Sequence, residues 1–484
     1  MDRPAAVSRA LRAAAPHALP GVLTAELTRL YGALGVQLLV ADYSLTLLQP
    51  VAVLPHTEHP RSALTGAAGR AFSGQQPHGE PGPGPDTTRL HLPVTVRGDR
   101  IGVLAVDLPA ADLPQPKGEE EPLPPAPAGT RETFATPTDR TCPTPADETR
   151  TTPADETRAT PTDETCATPG DPTVAPTARV AELAQIAEIL AHQIVVADRD
   201  TDLFLQARRA ARLTLAAEIQ WQLLPARSCA RPEYTLGAQL QPAYAVHGDN
   251  FDWSTSADHL TLVATNGMGS GIDAALLTSL GVHALRNARR AGLDLVGQAT
   301  LADQALYGQH RGECHLAALL IRFDLATGHA EVVDAGSPRL WLLREGTVDL
   351  VPFQAQLPLG MFEDTVYTTE RFQALPGDRL LFVSDGVYDV PSKTGERYGE
   401  RALARALHTT RLLPAAQVPR AVLEEVGGHR GHEDAEDDAL VICLDWYGRP
   451  PTASTGATSE PAADGRPGPA GAPATGSPGT RPGS

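Results

Sequence analysis

Cysteine is scarce in this chain. There are five among 484 residues (Cys142, Cys166, Cys229, Cys314 and Cys443), an odd number with no C-x-x-C pair. That excludes a disulfide framework and a clustered zinc site, and it fits a reducing cytoplasm. Basic charge is short as well: 40 Lys and Arg face 58 Asp and Glu, for a net charge of −18. A surface this acidic lacks the basic patches that nucleic acid or an anionic membrane requires. Long apolar runs are also missing. No run of about 18 apolar residues stands out as a membrane span, and the opening M-D-R-P-A-A-V-S-R-A-L-R has no signal-peptide core. The expectation is a cytoplasmic protein with neither nucleic acid nor membrane as partner.

The chain does have apolar residues (42%) in quantity, and its 44 prolines and 43 glycines concentrate in the middle and at the C-terminus. This pattern predicts globular modules joined by disordered segments. Residues 1–110 read as a first module. It opens with a helix (Leu19, Val22, Leu23, Leu27, Leu30), followed by strands V-Q-L-L-V-A-D-Y and S-L-T-L-L-Q-P and a loose loop from Ser73 to Asp86. A closing hairpin, L-H-L-P-V-T-V and I-G-V-L-A-V-D-L, turns around Arg97-Gly98-Asp99-Arg100. Residues 111–177 carry an eight-residue repeat in register at Pro137, Pro145, Pro153, Pro161 and Pro169. With too little apolar surface to offset ordering entropy, this stretch reads as a tether. Residues 178–225 show helical spacing (Val180, Leu183, Ile186, Leu190, Ile194) and are expected to form one long connecting helix that pairs with a second copy. Residues 448–484 read as a disordered tail.

Between residues 226 and 447 strands alternate with helices, and acidic side chains stand at strand ends. Residues 260–267 read L-T-L-V-A-T-N-G and residues 380–386 read L-L-F-V-S-D-G, each an apolar run stopped by an Asx-Gly pair. The sequence His247-Gly248-Asp249-Asn250-Phe251-Asp252 lies upstream, and Glu436-Asp437-Asp438 opens the last strand, A-L-V-I-C-L. Carboxylates gathered from dispersed strand ends suit hard divalent cations. Each acid has a plainer alternative: turn chemistry for Asp385 and Asp249, and for Asp437 a solvated acidic loop with Asp434, Glu436 and Asp438. His247, His315 and His432 lack ligand spacing and read as surface or core residues, and Trp221 and Trp253 as core.

The order G-D-N-F-D-W, strand-N-G-M-G-S-G-helix, D-A-G-S-P-R, S-D-G-V, D-D-A-L-V resembles the PPM-type metal-dependent serine/threonine protein phosphatases, in their SpoIIE/RsbU-like branch. E-I-Q-W-Q-L-L-P (218–225) and Q-L-P-L-G-M-F (356–362) strengthen the likeness. The first module resembles a GAF sensory domain. The resemblance implies an α+β chain: an αββα sandwich preceded by a GAF-like α/β domain. It also implies two Mn²⁺ or Mg²⁺ ions that activate water against a phosphoserine or phosphothreonine. Asp249, Asp385 and Asp437 would be metal ligands, the Gly267 carbonyl would assist, and the bridging carboxylate would fall on Asn266. Three departures stand out: Asn266 itself, Ser270 in the G-M-G-S-G turn, and Ser337 in place of a histidine. Ser270, Ser337 and Asp252 are expected around the ligands rather than among them. An amide offers one ligating oxygen and no charge, so one ion, or two held weakly, is expected. The implied substrate is a phosphorylated STAS-like anti-sigma-factor antagonist in a bacterial signalling pathway, acted on by a homodimer. The alternative is a pseudophosphatase that works as a regulatory binding module.

Overall fold

The computed structural model describes residues 2–51, 61–63, 65–110, 178–209, 212–242, 246–431 and 435–449. The repeats of 111–177, nearly all of the expected tail, Cys142, Cys166, His432 and Asp434 lie outside the described residues. The first unit runs α1 (Arg3–Ala13), α2 (Leu19–Tyr31), β1 (Gly35–Ala41), β2 (Leu47–Pro50), β3 (Arg61–Ser62), α3 (Gly66–Gly74), β4 (His78–Pro81), β5 (Thr87–Val96) and β6 (Asp99–Pro109). Its strands make one antiparallel sheet in the order β3-β2-β1-β6-β5-β4. The predicted hairpin forms with Val96 opposite Asp99, and Arg97 and Gly98 both take positive φ, as a tight two-residue turn requires. Residues 73–86, expected as a loose loop, instead contain the end of α3 and the edge strand β4. Pro81 sits where an edge strand tolerates a missing N–H.

The predicted single helix is three pieces: α4 (Ala178–Ala197), α5 (Leu203–Ala207) and α6 (Leu215–Leu223). A turn at 198–202 ends α4, and the Thr214 hydroxyl accepts the Ala217 N–H to start α6 anew. By length and composition α4 could cross a membrane, with a mean hydropathy of 1.4. Its apolar face, however, is spent inside the chain. Val180, Leu183, Ile186, Leu190 and Ile194 are buried with Leu23 and Leu27 of α2 and Leu90 and Leu92 of β5. The stripe expected to pair with a second copy therefore covers this sheet.

The second unit runs β7 (Ser228–Ala230), β8 (Tyr234–Gln241), β9 (Asn250–Thr255), β10 (His259–Gly267), α7 (Gly271–Arg290), α8 (Leu295–His310), β11 (Leu316–Asp324), β12 (His329–Ala335), β13 (Arg339–Arg344), β14 (Thr347–Leu350), β15 (Glu370–Gln373), β16 (Arg379–Val383), α9 (Asp385–Tyr388), α10 (Gly399–Thr409), α11 (Val418–Arg430) and β17 (Ala439–Trp446). Two antiparallel sheets result, β15-β12-β11-β10-β9 and β14-β13-β16-β17-β8-β7. Period-two alternation explains the layering. On β17, Leu440, Ile442, Leu444 and Trp446 enter the core between the sheets, while Ala439, Val441 and Cys443 face α10 and α11. On β11, Leu319, Ile321 and Phe323 point inward, and Leu316, Ala318 and Leu320 meet α7 and α8. The order of layers is helix, sheet, sheet, helix, as expected.

The two units touch directly. Ala230 N–H donates to the Arg97 carbonyl (3.0 Å), Arg227 N–H to Asp99 (3.2 Å), and Tyr43 stacks on Trp221 of α6 with centroids 5.1 Å apart.

Candidate functional site

The strand order sets β9 and β10 side by side in one sheet and β16 and β17 side by side in the other. Their ends carry the acidic residues: Asp249 just before β9, Asn266 and Gly267 closing β10, Asp385 just after β16, and Asp437 and Asp438 just before β17. Glycine allows the segments to close on each other. A Cβ on Gly267 would lie 2.3 Å from Thr278 Oγ1, and one on Gly386 would lie 1.9 Å from the Asp438 carbonyl oxygen. Gly248, at φ +90°, donates its N–H to Asp438 Oδ2 (3.0 Å), and its own carbonyl accepts the Thr278 hydroxyl (2.7 Å). Ser384 ties the two strand ends together, its hydroxyl accepting the Leu440 N–H at 2.9 Å.

Asp249 is 1% exposed, and neither of its carboxylate oxygens has a hydrogen-bond partner among the described residues. Burial, then the charges of Asp438, Asp385 and Asp437, push its carboxyl well above the usual range. The nearby Ser384 hydroxyl offsets this in part, though without a hydrogen bond of normal geometry. Asp437 is also pushed up, by burial and by Asp385, against the pull of His247. His247 Nδ1 lies 3.0 Å from Asp437 Oδ1, so a residue the sequence left to surface or core borders the site. Asn266 Nδ2 donates to Asp385 Oδ1 at 2.5 Å. The amide thus engages one of the carboxylates directly.

Two residues missed by sequence reasoning hold this rim. Asp438, named from the sequence only in the acidic-loop alternative to Asp437 ligation, is fully buried. Its Oδ2 accepts from Gln220 Nε2 (2.7 Å), His247 N–H (2.9 Å) and Gly248 N–H. Gln220 of α6 also donates to the Asp249 carbonyl (3.0 Å). Contacts spanning some two hundred residues leave no local signal. Other expected neighbours sit elsewhere in function. Asp252 is clasped by Arg286 and Arg289 of α7, both at 2.8 Å, which fastens β9 to that helix. Ser270 is exposed and forms the N-cap of α7 without a side-chain hydrogen bond. The Ser337 hydroxyl is 3.4 Å from that of Tyr388. His315 offers its backbone carbonyl to Met268. Trp221 is buried as expected, and the half-buried Trp253 donates to the Ala226 carbonyl at 2.7 Å.

Among the described residues no three His, Cys, Asp or Glu side chains converge in ligand geometry. The donor chemistry nonetheless fits a hard cation: it is all oxygen, acidic, and includes a buried carboxylate with both oxygens unpartnered. Position 266 supplies a neutral amide already bound to Asp385, where a carboxylate would bring a charge and a second oxygen.

Known proteins resemble the part of the chain that carries these residues. The family model for Stage II sporulation protein E matches residues 256–447. Phosphoserine phosphatase RsbP of Bacillus subtilis is 28% identical over 149 residues, covering 29% of this chain and 36% of that protein. Protein IcfG of Synechocystis is 20% identical over 255 residues, covering 47% of this chain and 40% of its own length. The chain therefore spans about two fifths of the length of these curated relatives. The solved PP2C phosphatase domain of SpoIIE from Bacillus subtilis is 21% identical, with a TM-score of 0.40, covering 45% of this chain and 64% of that one. Other PP2C-like structures were solved with magnesium or with two manganese ions. Over the matched residues 256–447 the chain thus resembles the SpoIIE-type phosphatase domains of the PPM class.

Proposed function

We propose that this domain is a Mn²⁺- or Mg²⁺-dependent phosphatase acting on phosphoserine or phosphothreonine in a protein of a bacterial signalling pathway. The observation that carries the reading is Asp249, buried with both oxygens unpartnered among three further carboxylates. In a folded protein such a group is costly unless it takes up a proton or a cation joins it. Asp249, Asp385 and Asp437 would hold the cation, with the Gly267 carbonyl beside them and the Asn266 amide in place of a bridging carboxylate. When bound, the cation supplies Lewis-acid polarisation of the phosphoryl group and acidifies an attacking water. Asp438 and Gln220 fix the segment that bears Asp249, and Asn266 orients Asp385. The preferred substrate is a phosphorylated STAS-like anti-sigma-factor antagonist. The six-stranded first unit acts as a GAF-like sensor, in a cytoplasmic homodimer.

A second reading, a pseudophosphatase that binds its partner without turnover, is favoured by one observation. The Asn266 amide occupies Asp385, so the rim is satisfied in part without metal. A Mn²⁺ titration of phosphate release from a phosphoserine peptide, on wild type and Asn266→Asp, separates the two. Turnover by wild type supports the enzyme. A silent wild type rescued by Asn266→Asp supports the binding module. Silence of both overturns the phosphatase reading.

A further inference from the structure

A cavity of about 430 Å³ opens beside the acidic rim, lined by the acids Asp385, Asp389, Glu436 and Asp437 together with Lys393 and Arg430. The two cations are built in. Lys393 rides on a short hairpin closed by the bridge of Pro391 to Arg397, in which Ser392 N–H donates to the Glu396 carbonyl (2.7 Å) and the Ser392 hydroxyl accepts the Glu396 N–H (3.1 Å). His429 anchors that hairpin to α11, its Nε2 3.0 Å from the Glu396 carbonyl and its ring edge-on to Tyr398. The stem of Lys393 lies over the end of α11. A Cβ on Gly431, the C-cap at φ +76°, would fall 2.2 Å from Lys393 Cε. Arg430 is the last residue of the same helix, where the backbone dipole favours positive charge.

An acidic rim alone repels a phosphoryl dianion, so a phosphate-binding cavity needs opposite charge in its lining. A lysine point charge and an arginine fork are the groups that supply it. We propose that Lys393 and Arg430 form the oxyanion-binding arm of this cavity and take the phosphomonoester group of the substrate. The proposal rests on reading the rim as a phosphatase site.

The chain has two lysines, Lys393 and Lys117, which makes a labelling test direct. Full-length protein with Mg²⁺ is acetylated with and without millimolar inorganic phosphate, and the two lysine peptides are quantified by mass spectrometry. Phosphate should slow labelling of Lys393 relative to Lys117 by about fivefold or more, a modest binding effect. Arg430→Met should remove most of that protection and Arg430→Lys should retain part of it. Unchanged labelling of Lys393 in wild type overturns the proposal, whatever the variants do. Phosphate release is followed on the same preparation. Protection without turnover supports the arm and overturns the enzyme reading, and turnover without protection does the reverse.

Discussion

Buried carboxylates are treated in opposite ways in two regions of this molecule. Away from the rim, each has donors: Asp42 and Asp303 accept backbone N–H and hydroxyl groups, and the others are clasped by arginine. Asp107 is held by Arg89 (2.6 Å), Asp252 by Arg286 and Arg289 (2.8 Å), Asp378 by Arg344 (2.6 Å) and Asp445 by Arg379 (2.6 Å). At the rim, Asp249 has no partner, Asp385 has an amide, and Asp437 faces a histidine. Arginine is the charge-matched, bidentate solution for a buried acid, and the chain uses it repeatedly as structure. Asp249, given neither arginine nor any other donor, is left to take up a proton or an added cation. The contrast separates acids that hold the fold from acids kept for chemistry.

The largest effect should come from breaking a clasp. Arg379 also donates to the Thr410 and Leu413 carbonyls, both at 2.7 Å. Arg379→Ala strands Asp445 and should lower unfolding free energy by about 3–5 kcal/mol, as for other broken buried pairs, read by urea denaturation. Asn266→Asp sharpens the other side of the comparison. It removes the N–H donor to Asp385 and adds a like charge, so in EDTA it should destabilise the protein by about 1–3 kcal/mol. Saturating Mn²⁺ should reverse that loss, and a thermal melt with and without metal tests both halves. Asp334, half-buried and bonded to the Gly336 N–H (2.9 Å), lies between the two regimes, and burial pushes it up to about 6. A carboxyl raised on folding binds protons more tightly in the native state. Its contribution is therefore complete below the unfolded value of about 4 and is lost as pH rises through about 6. Asp334→Asn should flatten stability over that window, the smallest of these effects, in denaturation curves taken across pH.

Much of this was legible in the sequence. The apolar run of β17 and the Asx-Gly stops at the ends of β10 and β16 predicted buried strands with acids at their ends, and the structure has them there. What was hidden has physical reasons. The edge strand β4 is short and ends in Pro81, so it reads as loop. The continuous periodicity of 178–224 concealed a break, because apolar residues of α4 and α6 serve different cores: Leu183 the first sheet, and Ala216 a small cluster with Val246 and Ala275. The burial of Asp438 depends on Gln220, 218 positions away, and the arginine clasps are set by sheet register and tertiary packing, which no local pattern encodes.

The central claim is that Asp249 is kept without an arginine because a divalent cation takes that place. Calorimetric titration of Mn²⁺ into wild type and Asp249→Asn at neutral pH tests it most directly. The account predicts saturable binding by wild type and a loss of more than about tenfold in affinity in the variant, beyond what removal of an outer partner costs. In metal-free buffer the variant should melt no lower than wild type, since it sheds an unpartnered buried charge. Equal Mn²⁺ affinity in the two proteins, or a metal-free variant that melts well below wild type, would contradict it.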